Sequence, residues 1–313
     1  MTDPVAVTGY DDLALVLGTR AFEPVAYEAR ISGLADRLGF DASEVLRAVR
    51  AVPLCQRGKA HTETRKRLAA LIGQATERVS AFAETDVVAL SKGLLSPGSH
   101  DVMQELVLPV VEGTIAQIIG VAPESKPDAM ISRLFSQSIG VAKRKRMNAE
   151  FAGLRTRLSD AFPELDDRAI DDRIALSVLG TDALRGTIGC SLHALFAQDG
   201  DGEATQMPPK TGVPYVEREA VAEVTVSVQS YPAQTHFRAC LDALEQGSDR
   251  DKMRFWGYGA HTCLGRQMSV QVWQAIAASF KGALHRIAVT DYALRRDDVF
   301  AIPDRFLIEV TDA

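Results

Sequence analysis

Basic charge is in deficit in this 313-residue chain: 35 Lys and Arg stand against 41 Asp and Glu, for a net charge of −6. Proteins that bind nucleic acid usually carry a basic face, so this balance offers no footprint for such a partner. Long apolar runs are missing too, with none near the roughly 20 residues needed to cross a bilayer. The opening Met-Thr-Asp-Pro-Val-Ala-Val lacks the basic and then apolar pattern of a secretory signal. The expectation is a cytoplasmic protein with neither membrane nor nucleic acid as partner. Cysteine is scarce: Cys55, Cys190, Cys240 and Cys263 lie far apart, and no Cys-x-x-Cys pair exists for zinc or redox work. In a reducing compartment they are free thiols, so a special one must be recognised by its surroundings. Internal repeats and low-complexity tracts are absent as well. What is there is an ordinary globular mixture, 46% hydrophobic and 24% charged, on a chain long enough to bury a sizeable core.

Helix dominates the first two hundred residues, in segments broken by Pro and Gly. Residues 59–75 read as a helix rich in Arg and Lys. Residues 101–119 place Val102, Leu106, Val110 and Ile118 in a loosely helical pattern that ends at Gly120, and Pro123 and Pro127 then mark a loop. A long helix is expected over 171–196. It carries Gly180, Gly186 and Gly189, each costing up to about 1 kcal/mol against alanine; three such positions in one apolar helix imply that something approaches its backbone closely. A polar stretch at 198–212, containing Asp-Gly-Asp-Gly-Glu, precedes 213–228, where Val221, Val224, Val226 and Val228 alternate and favour strand. Near the end, Leu264, Met268, Val272, Ile276, Phe280 and Leu284 recur every four residues as one inward helical ridge. Residues 300–310 read as a closing strand or hairpin.

Between the charged loop at 248–254 and that ridge lies Trp256-Gly-Tyr-Gly-Ala-His-Thr-Cys-Leu-Gly265. Gly257 and Gly259 allow a tight turn that brings backbone N–H groups near the Cys263 sulfur. Cys263 is expected in the first turn of the helix, where its positive end favours thiolate over thiol. A thiolate in an apolar, donor-lined cradle is what an axial heme ligand requires. The same residues also suit a buried structural cysteine in a glycine-rich loop.

The spacing resembles the heme-binding signature of the cytochrome P-450 superfamily, Phe-Gly-x-Gly-x-His-x-Cys-x-Gly, and departs from it only in having Trp256 where the family has Phe. His61 and Arg65, four apart on one helix face, resemble the family's His-x-x-x-Arg, which grips a heme propionate; alone they would suit a solvated basic face. Pro214 and Arg218 resemble the strand beginning Pro-x-x-x-Arg-x-Ala, and residues 7–17 resemble a short strand and helix B. The resemblance implies a mainly α fold with a small β portion, a single domain over 1–313, and heme b (iron protoporphyrin IX) ligated by the Cys263 thiolate. It implies further that His61, Arg65, Arg218, Trp256, Gly257, His261 and Gly265 contribute to cofactor binding.

The likeness has gaps. The family's first helix and first strands have no counterpart, and residues 123–171 are short for its substrate-covering helices F and G. No room remains after Phe196 for helices J and K. The only Glu-x-x-Arg, Glu44 to Arg47, lies far upstream and reads as an ordinary helical pair. Gly180-Thr-Asp-Ala resembles the central helix I, whose glycine lets the helix bulge and whose acid and following Thr relay protons to dioxygen. Asp182 is the acid, but Ala183 stands where Thr is expected, with Thr181 or Thr187 as substitutes; Asp182 would alternatively only cap or kink the helix. Relatives without that Thr often use hydrogen peroxide, rearrange an oxygenated substrate, or take oxygen protonation from the substrate itself. The Trp256 indole would draw electron density from the thiolate, or simply pack on the heme edge.

The implied activity is therefore an atypical, peroxide-using or rearranging heme-thiolate oxidoreductase acting on a small organic molecule, with a pocket lined by the loop after Leu17 and by residues 127–147. A conventional monooxygenase fed by a ferredoxin-type donor, docked on the basic residues around the Cys263 loop, is the alternative. A non-catalytic helper subunit is another, and a homodimer is compatible with the missing elements. A gas or redox sensor would need a signalling domain that the sequence does not show.

Overall fold

The computed structural model describes residues 3–122, 131–136, 139–197, 206–296 and 299–312. Pro123, Pro127 and the Asp-Gly-Asp-Gly-Glu stretch lie outside them. In chain order, strand β1 (Val5–Val7) leads to helix α1 (Tyr10–Gly18) and strand β2 (Phe22–Pro24). Helices α2 (Tyr27–Leu38) and α3 (Ser43–Ala51) precede α4 (Gly58–Phe82), which continues through a π-helical turn at Ala83–Val87 into α5 (Val88–Gly93). Strand β3 (Gly98–Asp101) and a second π-helical turn (Met103–Val107) open α6 (Leu108–Ile119); α7 (Val141–Ala161) and α8 (Asp167–Phe196) follow. Next come strands β4 (Tyr215–Ala220), β5 (Val224–Val226), β6 (Gln229–Tyr231) and β7 (His236–Cys240), the short α9 (Asp249–Lys252), then α10 (Arg266–Ser279) and the hairpin β8 (Ile287–Arg296) and β9 (Ala301–Val310).

The helices expected at 59–75 and 171–196 are both longer than their apolar periodicity indicates. For α8 the reason is local: Asp166 caps it, its side chain accepting the Ala169 N–H at 2.8 Å, so the helix starts a turn earlier at Asp167. Its glycines meet the close approaches the sequence implied. A Cβ on Gly186 would lie 2.3 Å from the Ala301 carbonyl oxygen and 2.8 Å from Gly212 Cα, and one on Gly189 would touch Pro303 at 3.0 Å. The Gly212 N–H donates to Thr187 Oγ1 at 2.9 Å, and the Ala301 N–H to the Gly212 carbonyl at 3.0 Å. The intruder is the chain's own return segment and β9. Among the described residues, no helix stands between α8 and β4.

Residues 213–228 do not form one strand. β4 stops at Ala220, Val221 is exposed, and Val228 is fully exposed with φ 65° in the turn between β5 and β6. Alternation there continues past the strand because valine also occupies the turns. The main sheet runs β1-β7-β4-β2, with β1 and β7 parallel and the other pairs antiparallel; β3-β9-β8 forms a second sheet and β5-β6 a separate hairpin.

Two apolar clusters hold the molecule. The larger gathers the helices: Met268, Val272, Ile276, Phe280 and Leu284 of the expected ridge are all buried in it, although the last two lie beyond the end of α10. Burying each such side chain contributes about 1.5–3 kcal/mol. The smaller joins α1 (Leu13, Val16, Leu17) to the main sheet and to Phe255, just ahead of the Cys263 loop. Glu44 and Arg47 are not an intrahelical pair. Glu44 meets Arg155 Nε at 2.7 Å, and Arg47 meets Asp171 at 3.0 Å and Asp167 at 3.1 Å, so this Glu-x-x-Arg ties α3 to α7 and α8.

Candidate functional site

Around Cys263 the backbone folds as the two glycines require. Gly257 and Gly259 take φ of 76° and 60°, a region open to glycine and rarely to other residues. A Cβ on Gly257 would lie 3.0 Å from the His261 carbonyl oxygen. The loop closes on itself, the Cys263 N–H donating to the Trp256 carbonyl at 2.6 Å. Cys263 lies three residues ahead of α10 rather than in its first turn. From there the amides of Gly265 and Arg266, at the positive end of the helix, are aimed at its sulfur.

By accessible surface Cys263 is exposed, yet burial is the strongest influence on its thiol and pushes it up, against the pull of those amides and of Arg65 and Arg266. The sulfur is thus open to solvent while protein surrounds it closely enough to disfavour its charge. A cation bonded to this sulfur would deprotonate it.

Beside the sulfur, donors and positive charges gather, and no carboxylate among the described residues pairs with them. The rings of His61 (α4) and His261 (Cys loop) lie 4.2 Å apart, and Arg65 donates to the Thr262 carbonyl at 2.6 Å. Arg218, in β4, is only 3% exposed; it donates to the Glu217 carbonyl at 2.8 Å, and no carboxylate among the described residues pairs with it. Burial holds Arg218 down to about 10. Burial also lowers His61, reinforced by Arg65 and Arg218, and drives His261 to about 3, reinforced by Arg218, His61 and Arg65. His61 Nε2, His261 Nδ1 and Trp256 Nε1 are buried with no hydrogen-bond partner. Each such orphan costs about 1–3 kcal/mol.

Sequence reasoning missed Tyr27 and Cys55 at this end of the site. Arg218 acts on both, while burial pushes the Tyr27 phenol up and the Cys55 thiol up to about 12. Neither stands in a motif, and the turn at Pro53–Cys55 has no periodicity that would have marked it. The chain just past Leu17 meets the Cys loop. Gly18 packs on Tyr258 and Gly259, against the Cys loop itself.

On α8, Leu179, Gly180, Thr181, Ala183 and Thr187 keep partial exposure in mid-helix while Val178, Asp182, Leu184, Arg185 and Gly186 are buried. At about 100° per residue Leu179, Gly180, Ala183 and Thr187 share one stripe roughly 100° wide, and Thr181 and Asp182 lie off it. The expected bulge at Gly180 is not formed: α8 is continuous, and a Cβ there would lie 2.6 Å from Ile115 of α6, so this glycine serves helix packing. Asp182 sits near enough to Arg185 to oppose the effect of burial on that guanidinium. The hydroxyls offered as substitutes for the missing Thr are committed. Thr181 donates to the Ser177 carbonyl at 2.7 Å; Thr187 donates to the Ala183 carbonyl at 2.8 Å and accepts from Gly212.

No family model matches the sequence, and no curated protein is significantly similar to it. Solved structures are similar in fold. CalO2 superposes with a TM-score of 0.80 at 15% identity, over 98% of this chain and 90% of CalO2. P450BioI, solved in complex with acyl carrier protein ligated to hexadec-9Z-enoic acid, gives 0.75 at 15% identity, over 98% and 92%. The cytochrome CYP109B1 from Bacillus subtilis gives 0.68 at 14% identity, over 97% and 93%. The chain has the cytochrome P-450 fold in a shortened form, mainly helical with a small sheet portion. Among the described residues no helix is long and apolar enough to cross a membrane.

Proposed function

We propose that this protein is a heme-thiolate oxidoreductase acting on a small organic molecule, with Cys263 as the residue whose thiolate would hold heme b. The observation that carries this reading is the cluster of His61, Arg65, Arg218 and His261 next to the Cys263 loop, with buried unpartnered ring nitrogens and no carboxylate among the described residues paired with it. A flat, dianionic macrocycle with a metal cation fits that set: two carboxylates satisfy the orphaned donors, and the cation stabilises the thiolate.

When bound, the heme supplies oxidising chemistry at its iron. The chain's own residues then divide the work. His61, Arg65, Arg218 and His261 would hold the propionates. The amides of Gly265 and Arg266, with the Trp256 indole N–H, stabilise negative charge on the sulfur and moderate what it donates. Ala183 presents no hydroxyl on the open stripe of α8. Asp182 lies off that stripe beside Arg185, and Thr181 and Thr187 are engaged elsewhere. With Gly180 and Ala183 bearing no hydroxyl and the Thr187 hydroxyl engaged, this stripe of α8 supports an oxidant or substrate that brings its own proton, hydrogen peroxide first.

The reduced protein with carbon monoxide should show the red-shifted Soret band of thiolate ligation, and peroxide alone should drive product formation. A purified protein that takes up no heme would favour the helper-subunit reading. Strict dependence of turnover on a reductase and ferredoxin would overturn the peroxide assignment and leave a conventional monooxygenase.

A further inference from the structure

The family resemblance implies a buried Glu-x-x-Arg pair on a helix, and among the described residues no helix stands between α8 and β4 to support the Cys263 loop. What touches that loop instead is α1. Arg254, on the 3-10 turn that delivers Trp256, lies between two aromatic rings: its guanidinium carbon is 3.8 Å from the centroid of Tyr258 and 4.3 Å from that of Tyr10. Its Nε is buried without a hydrogen-bond partner, and no carboxylate among the described residues pairs with it. The two ring faces therefore hold the cation in place of an anion, an arrangement favoured where the cation is partly desolvated. The Arg254 carbonyl in turn accepts the Gly257 N–H at 2.9 Å, so the side chain and backbone of one residue fix both the loop's entry and its first glycine.

The other end of α1 grips the same loop. A Cβ on Gly18 would lie 2.5 Å from Tyr258 Cδ1, and one on Gly259 would lie 3.0 Å from Gly18 Cα, so the last turn of the helix and the loop backbone are in direct contact. Tyr10 and Gly18 are the first and last residues of α1, about 12 Å apart along the axis. The helix itself is anchored by Leu13, Val16 and Leu17 in the cluster that holds Phe255. One short helix thus contacts the loop at two separated points with an apolar anchor between them, the geometry of a brace that resists both tilt and slide.

We propose that α1 positions the Cys263 loop, through the Tyr10–Arg254–Tyr258 stack at one end and the Gly18–Gly259 contact at the other. This rests on the reading of Cys263 as a heme ligand, with Tyr10, Arg254 and Gly18 as positioning residues that act through the loop.

The test uses the full chain with and without heme. Tyr10→Leu and Arg254→Met each remove the stack; Tyr10→Phe keeps the ring and should rescue. In the heme-loaded protein the two disruptive variants should lose at least half of the red-shifted carbon monoxide band and release heme to apomyoglobin roughly tenfold faster, which is about 1.4 kcal/mol. In the heme-free protein, acrylamide quenching of Trp256 should rise about twofold, against a constant background from Trp273, which is shielded at 1% exposure. Ile276→Val, a mild core change far from the loop in sequence, lowers overall stability and should move neither loop readout. Unchanged bands and quenching in Tyr10→Leu and Arg254→Met overturn the brace, as does an equal change in Ile276→Val. A parent protein lacking the red-shifted band overturns the heme-thiolate reading instead, and the quenching arm still decides the brace.

Discussion

Replacing Arg218 by methionine should move the heme-free and heme-loaded proteins in opposite directions. In the heme-free protein the guanidinium is buried without a carboxylate, and its fall from 12.5 to about 10 corresponds to roughly 3 kcal/mol of unfavourable burial. Below about pH 10 the group is protonated whether the chain is folded or not, so the penalty is constant across the working range and is relieved only as pH rises through 10 and beyond. Methionine fills much of the same volume and removes the charge. It also loses the hydrogen bond to the Glu217 carbonyl, about 1 kcal/mol, leaving a net gain of roughly 2 kcal/mol. For a chain of this size that raises the melting temperature by about 4 °C. With heme present the same change deletes a charge-assisted bond to a propionate, about 1.5–3 kcal/mol, and heme affinity should fall roughly ten- to a hundredfold. Thermal melts of the heme-free protein and a heme titration read the two effects. A lower melting temperature in the heme-free variant would mean that Arg218 has a structural anion partner, and an unchanged heme affinity would mean that the cluster does not receive carboxylates; either result refutes the reasoning.

Cys263→Ala should abolish the red-shifted carbon monoxide band while leaving the far-ultraviolet circular dichroism of the fold in place; a surviving band would assign ligation to another residue. His61 and His261 are held below their usual 6.5, His261 at about 3, so below pH 6.5 the unfolded chain binds protons that the folded heme-free protein refuses. Stability should be flat above that pH and decline below it, by at most about 1.4 kcal/mol per pH unit for each histidine, until the folded values are reached. Urea midpoints between pH 7 and 4 measure this, and heme should flatten the curve because its propionates favour the charged histidines. Gly186→Ala should cost about 3 kcal/mol, since the new methyl meets backbone of Ala301 and Gly212 instead of a side chain that can swing away; a loss under 1 kcal/mol would show that the return segment yields.

Much of the site was legible because its chemistry is packed into a short stretch of chain. Gly257, Gly259, Cys263 and Gly265 sit within ten residues, and Gly257 and Gly259 answer a demand of backbone geometry that few other residues meet. His61 and Arg65 were legible for a related reason: one helical turn brings them to one face. Gly186 and Gly189 announced a close approach without naming what approaches, because the partners, Gly212 and β9, are distant in sequence. Where the reading erred, local pattern was overruled by neighbours. Gly180 looked like a bulge and is a seat for Ile115, Thr187 looked available and is taken by Gly212, and Glu44 and Arg47 look like partners but pair across helices.

The sequence by itself determined the thiol-bearing loop, its apolar helix and the helical character of the chain, since these follow from spacing and periodicity along a few turns. Only the tertiary structure decided which cations stand unpaired around the sulfur, that Tyr27 and Cys55 join them, and that α1 reaches the loop at two points. Those facts depend on how far apart, how buried and how screened side chains from distant segments become, and charge and burial are properties of the folded surroundings rather than of any residue alone.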